Sequence, residues 1–193
     1  ARGAKRALLK SIQSQKAVTQ RLIGELEGRA NELQTLIEKL EQEKSLLAYK
    51  PVKPDSHKAK LLPPLQGSMI SQFKERGQNG IEIRAPMDAE IRAILPGKVL
   101  YADWFKGFGN MVIIDHGDHT FTVSAYCSQL LKKEGDTVSQ GDTIARVGSA
   151  GSLKGPCLYF EIRHRGKPQD PMDWILSPEK AVSFQEEPRK GRK

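Results

Sequence analysis

Cysteine is nearly absent: Cys127 and Cys157 are the only two among 193 residues, too few for a disulfide framework or a cysteine-based zinc site. No run of about 18 apolar residues occurs, so no segment is long and apolar enough to cross a bilayer as a helix. Aromatic residues make up only 6% of the chain. Proline is missing from Arg6 to Tyr49, an absence that points to something present, a long uninterrupted helix. The sequence starts at Ala1 without Met or a charged-then-apolar leader, as expected of a mature or trimmed fragment. Compartment is therefore not legible from a signal.

Acidic residues are in deficit, with 31 Lys and Arg against 23 Asp and Glu and a net charge of +8. Such a surplus invites a nucleic-acid or membrane-surface reading, but its distribution opposes the first. The chain carries 13 basic and 7 acidic residues through Lys60, 13 of each from Leu61 to Leu176, and 5 and 3 beyond. A nucleic-acid-binding domain would concentrate Lys and Arg on its own surface, and here the middle is neutral. An anionic surface or acidic partner near the amino-terminal segment fits better, as does a merely solvated excess.

Length accommodates one ordinary domain and an appendage. In the proline-free segment Leu26, Leu33, Leu40 and Leu47 recur every seven residues, with Ile23, Ala30, Ile37 and Lys44 three positions before each. That a/d pattern predicts a coiled-coil helix over residues 1–49. Its stripe needs a cover, either a partner helix or, as the alternative, the domain that follows. Four prolines in residues 50–64 predict a basic, extended linker. Beyond it, short apolar runs at Ala89–Leu95, Lys98–Ala102, Met111–Asp115, Thr120–Ala125, Thr143–Val147 and Leu158–Arg163 alternate with Gly- and Asp-rich turns. This spacing, without helical periodicity between the runs, predicts a mainly β domain over residues 65–176, a compact sandwich or open barrel. The polar end, 177–193, reads as disordered.

The stretches NGIEIRAP from Asn79, GKVLYADWFKGFGNMVIIDHG from Gly97, and EGDTVSQGDTIARVGSAGSLKGPCLYFEIRHRGKPQDPMDWI from Glu134 resemble the LytM-type (lysostaphin-type) zinc endopeptidases. Members of that family cut peptide cross-links in peptidoglycan. The resemblance implies five chemical positions: a metal-binding His and Asp, an isolated catalytic His, and a closing pair of His, one catalytic and one a zinc ligand. In this chain those positions hold Gln78, Glu82, Tyr126, Cys157 and Tyr159, so every histidine is replaced. Glu82 and Cys157 are competent ligands and the others are poor ones. Neither a thiol nor a phenol replaces imidazole as a base near neutral pH. The expectation is no zinc, no cofactor and no peptidase activity.

His116 and His119 flank a turn and read as solvated, while His57 and His164 lie outside the motif. A Cys127–Cys157 disulfide is not expected, because strand alternation sends the two sulfurs to different faces. The same alternation places Glu82 with Arg84, and Cys157 with Tyr159, Glu161 and Arg163, on faces that Tyr126 and Gln78 would complete as a binding groove.

A coiled coil joined to a LytM domain without its histidines is similar to the murein hydrolase activators of bacterial cell division. That resemblance implies a periplasmic protein at the division site that binds a zinc N-acetylmuramoyl-L-alanine amidase and displaces its autoinhibitory helix. It also implies that the coil is held by an FtsEX-type membrane complex. Two alternatives are an endopeptidase with an altered metal site and a periplasmic coiled-coil scaffold or transport adaptor.

Overall fold

The computed structural model describes residues 2–44 and 61–178. The expectations for residues 45–49 of the coiled-coil segment, Leu47 among them, for residues 50–60 and for the tail from 179 onward fall outside them. The amino-terminal segment is one helix, α1, Arg2–Lys44, about 64 Å long at 1.5 Å per residue. The rest is β structure: β1 Ser68–Ser71, β2 Ile81–Arg84, β3 Glu90–Arg92, β4 Gly97–Phe105, β5 Gly109–Gly117, β6 Thr120–Leu130, β7 Thr137–Val138, β8 Thr143–Val147, β9 Cys157–His164 and β10 Lys167–Gln169. The apolar runs at 98–102, 111–115, 120–125, 143–147 and 158–163 fall within β4, β5, β6, β8 and β9. The run at 89–95 yields only the three residues of β3.

All strands join one antiparallel network in the order β1-β2-β9-β6-β5-β4-β7, with β10 on β9 and β8 linking β6 to β3. Strand β6 is the pivot. Its first half, Thr120 to Ala125, pairs with β9, and its second half, Cys127 to Leu130, pairs with β8. The changeover falls on Tyr126, whose φ of +67° is a left-handed conformation rare for a residue with a side chain.

Residues 61–64 belong to the domain rather than to the linker that four prolines suggest. Leu61 pairs in parallel with Ile175, its N–H donating to Trp174 O and its carbonyl accepting from Leu176 N–H, both at 2.8 Å, while Pro64 O accepts from Arg92 N–H at 2.8 Å. Proline lacks a donor but keeps its acceptor, so it can cap an edge in this way.

Strand alternation divides the interior into two clusters. On one face Val112 and Ile114 of β5 and Leu158, Phe160 and Ile162 of β9 pack with Ile91, Ile144 and Val147 of β3 and β8. On the other, Met111 and Ile113 of β5 and Cys157 and Tyr159 of β9 meet Val123, Ala125 and Phe108. Strand β5 is therefore buried on both sides, as its unalternating MVII run requires.

Helix α1 supplies the cover for the second face. Leu33 and Ile37, both about 1% exposed, are buried in that cluster, with Leu36 and Leu40 packed against it. Burying two such side chains contributes roughly 1.5–3 kcal/mol each. The cover over this stretch is thus the chain's own domain rather than a separate helix. The stripe farther upstream stays in solvent: Leu8, Leu9, Ile12, Val18 and Ile23 are exposed.

Candidate functional site

Three adjacent strands and one turn build the site. Antiparallel pairing sets Glu82 of β2 opposite Tyr159 of β9, and Arg84 opposite Cys157. On the other side of β9, Ala125 of β6 lies opposite Tyr159, which brings the next residue, Tyr126, beside it. Phe108, in the β4–β5 turn, completes an aromatic floor. Ring centroids are 5.8 Å apart for Tyr126–Tyr159, 5.2 Å for Phe108–Tyr159 and 6.4 Å for Phe108–Tyr126, within the range for favourable ring pairs.

The left-handed backbone at Tyr126 is held from both sides: its N–H donates to Phe108 O at 2.9 Å, and its carbonyl accepts from Gly148 N–H at 2.8 Å. Gly151, with φ +98°, passes so close that a β-carbon there would lie 2.9 Å from the Tyr126 ring. A backbone conformation of this kind costs about 1–3 kcal/mol, so the fold spends stability to aim this side chain.

Beside the floor lies an enclosed polar row. The Tyr159 hydroxyl donates to Glu161 Oε2 at 2.7 Å, and Arg163 donates to Glu161 Oε1 at 2.7 Å. Glu161 and Arg163 have no exposed surface, and Arg163 Nε has no partner among the described residues. Burial pushes the Glu161 carboxyl up, against the opposing pull of Arg163 and of the Tyr159 hydroxyl. These two residues brace Tyr159 and present no surface of their own. Arg84 is on the outer edge and exposed. Gln78 turns away, its Nε2 donating to Ser71 Oγ at 2.7 Å and Gln72 O at 3.1 Å. Of the residues expected in the groove, Glu82, Tyr126, Cys157 and Tyr159 converge. Phe108, Ser152, Lys154, Leu33 and Ile37 complete the site without having been expected there; a Phe between two glycines in a turn was the available signal for the first.

The donors do not suit zinc. Glu82 is paired with Lys154 Nζ at 2.5 Å, the Cys157 thiol lies 3.1 Å from Ser152 Oγ, and the Tyr159 hydroxyl is committed to Glu161. Among the described residues no three His, Cys, Asp or Glu side chains gather as a metal site. Burial raises the Tyr126 and Tyr159 phenols well above their ordinary range, and the Cys157 thiol is pushed up chiefly by burial. All three are protonated near neutral pH, so none can act as a base or nucleophile there.

The histidines do not reach this floor. His116, read as solvated from its place beside a turn, is buried, its ring bonding Pro96 O and Thr122 Oγ1, each at 2.8 Å. Asp115 and His116 lie near the end of β5 and are both about 1% exposed. His119 is exposed on the turn, with Nδ1 2.7 Å from Glu41 Oε1 of α1. His164 meets Thr120 Oγ1 at 3.0 Å, and His57 lies outside the described residues. Both cysteines are free thiols in different clusters, and burial pushes Cys127 up to about 12. A second polar tie joins helix to domain, Arg29 donating to Gly107 O at 3.3 Å.

The fold is that of a LytM-type domain, here with an aromatic floor formed by Phe108, Tyr126 and Tyr159. Residues 76–171 match the model for peptidase family M23. The chain is 35% identical over 117 residues to the murein hydrolase activator EnvC of Escherichia coli, covering 58% of this chain and 28% of that one. It is 34% identical over 127 residues to the cell division protein DipM of Caulobacter vibrioides, covering 60% and 21%. A crystal structure of a putative peptidase M23 from Pseudomonas aeruginosa shares the fold, with a TM-score of 0.60 and 24% identity, over 77% of this chain and 61% of that one. The chain thus carries a peptidase M23 (LytM) domain homologous to murein hydrolase activators. It spans less than a third of the length of these two curated relatives.

Proposed function

We propose that this chain is a non-catalytic activator of murein hydrolases, and that its substituted LytM floor is the surface that binds the hydrolase. The observation that carries the reading is the aromatic floor itself. At the positions that the resemblance gives to the family's isolated catalytic His and to a zinc-binding His stand Tyr126 and Tyr159, joined by Phe108 and already seating the apolar face of an amphipathic helix through Leu33 and Ile37. A surface that accepts a helix in cis has the shape and chemistry to accept one in trans, and tyrosine is among the side chains most enriched in binding hot spots.

The partner is a zinc N-acetylmuramoyl-L-alanine amidase, engaged through a helix that otherwise blocks its own active site. Activation is a population shift, in which the amidase's open state must be bound more tightly than its closed one. Helix α1 competes for the same floor and sets the threshold. The exposed upstream stripe of α1 is then the handle through which an FtsEX-type division complex pulls the cover away. The setting is the periplasm at the division site, where the basic amino-terminal segment faces anionic membrane.

The test is dye release from labelled peptidoglycan by a purified amidase, with and without the chain. Stimulation by the chain, no release by the chain alone, and loss of stimulation on Tyr126→Ala/Tyr159→Ala with the fold retained are expected. Unchanged stimulation by that double variant contradicts the groove assignment.

A further inference from the structure

Glu82 is only 7% exposed and stands where the family's zinc-binding carboxylate belongs, and the donors around it do not suit a metal. A carboxylate taken out of water needs a cation or it strongly destabilises the fold. The structure supplies one from the chain itself. Lys154, in the β8–β9 loop, reaches across to Glu82 Oε2 at 2.5 Å. Its own N–H donates to Ser152 Oγ at 3.1 Å, and that hydroxyl lies 3.1 Å from the Cys157 sulfur. The loop is tied to the site at two points, and Leu153 between them is left 78% exposed.

We infer that Lys154 is a built-in counter-cation that takes over the electrostatic role of the metal, neutralising Glu82 and pinning the β8–β9 loop onto β2 as a fixed wall of the groove. Lys154 is a positioning residue. It touches no reacting group, and acts by keeping the loop closed over Cys157, which has no exposed surface. Ammonium suits this duty because it is a compact charge on a flexible stem with three donors. The consequence for activation rests on reading the groove as a partner-binding surface, whereas the charge replacement does not.

Cys157 reports the state of the loop, and Cys127, in the opposite cluster, reports the integrity of the fold. Labelling of the full chain with Ellman's reagent at one fixed pH should be slow at both thiols. Lys154→Met should speed Cys157 labelling about tenfold or more while Cys127 stays slow, because an unpaired buried carboxylate opens the loop. Lys154→Arg should restore most of the protection. Glu82→Gln/Lys154→Met should return the rate to within about threefold of the parent, since the amide carries no charge to neutralise.

A Lys154→Met rate equal to the parent's, or a double variant as fast as the single one, overturns the inference. If Lys154→Met unfolds and both thiols react, the double variant decides: protection of Cys157 supports the assignment, and two reactive thiols overturn it. Amidase stimulation should fall with Lys154→Met. Absence of stimulation by the parent chain and by every variant counts against the groove reading, and the labelling rates still judge Lys154.

Discussion

One face of the sheet is closed by strands hydrogen-bonded into the same network, β3 and β8, over a mostly aliphatic core. The other is closed by a helix that shares no sheet hydrogen bonds with it, resting on aromatic side chains through Leu33 and Ile37 and tied by Arg29 and Glu41. Removing the first cover means unfolding the domain, while removing the second leaves every strand pairing in place. That difference separates a core that serves stability from the surface proposed to serve binding. It also explains why strain at Tyr126 and an enclosed Glu161–Arg163 pair are both found on the second face. Such features cost free energy and persist where the surrounding structure holds them.

The contrast can be broken at graded points. Phe160→Ala on the aliphatic face should cost about 3–5 kcal/mol of domain stability in denaturant unfolding, with the helix lost as a secondary effect. Leu33→Ala/Ile37→Ala should cost about 2–5 kcal/mol per side chain at most, but from docking alone. Amide exchange should rise in α1 and on the aromatic face while the unfolding midpoint of the domain barely moves. A midpoint shift as large as that of Phe160→Ala would show that the two faces form one cooperative core. Arg29→Met and Glu41→Gln remove partly exposed ties and should each change docking by no more than about 1 kcal/mol, readable as a few-fold change in exchange of the floor amides. Smallest of all, a chelator should leave the melting temperature unchanged, and elemental analysis after purification without added metal should find no stoichiometric zinc. A chelator-induced fall in melting temperature would mean that the Glu82 site holds a metal despite Lys154.

Much of the β domain could be read from residues whose pattern is local. Thr143–Val147 forms β8 with the expected bounds, and alternation along β9 separates Leu158, Phe160 and Ile162 from Cys157 and Tyr159. The resemblance alone was enough to set Gln78, Tyr126, Cys157 and Tyr159 at the positions of the family's histidines. Less legible was everything that depends on what lies on top. The spacing of Leu33 and Ile37 is that of a coiled-coil seam, and the same spacing serves for lying on a sheet, so periodicity could not choose between them. Glu161 and Arg163, polar and on the groove face, looked available for binding, but pairing with each other and with Tyr159 encloses them. Lys154 left no signal, because its partner is 72 residues away and a lysine in a Gly-rich loop ordinarily points to water.

The central claim is that the aromatic face is a binding surface under a removable cover. Its most direct test is amidase stimulation by the full chain carrying Leu33→Glu/Ile37→Glu, compared with the parent at equal concentration. Two buried charges should expel the helix and leave the strands intact, raising stimulation about tenfold or more as the competent state gains population. Stimulation equal to or below the parent's, with the β domain still folded and the helix demonstrably undocked, would contradict it.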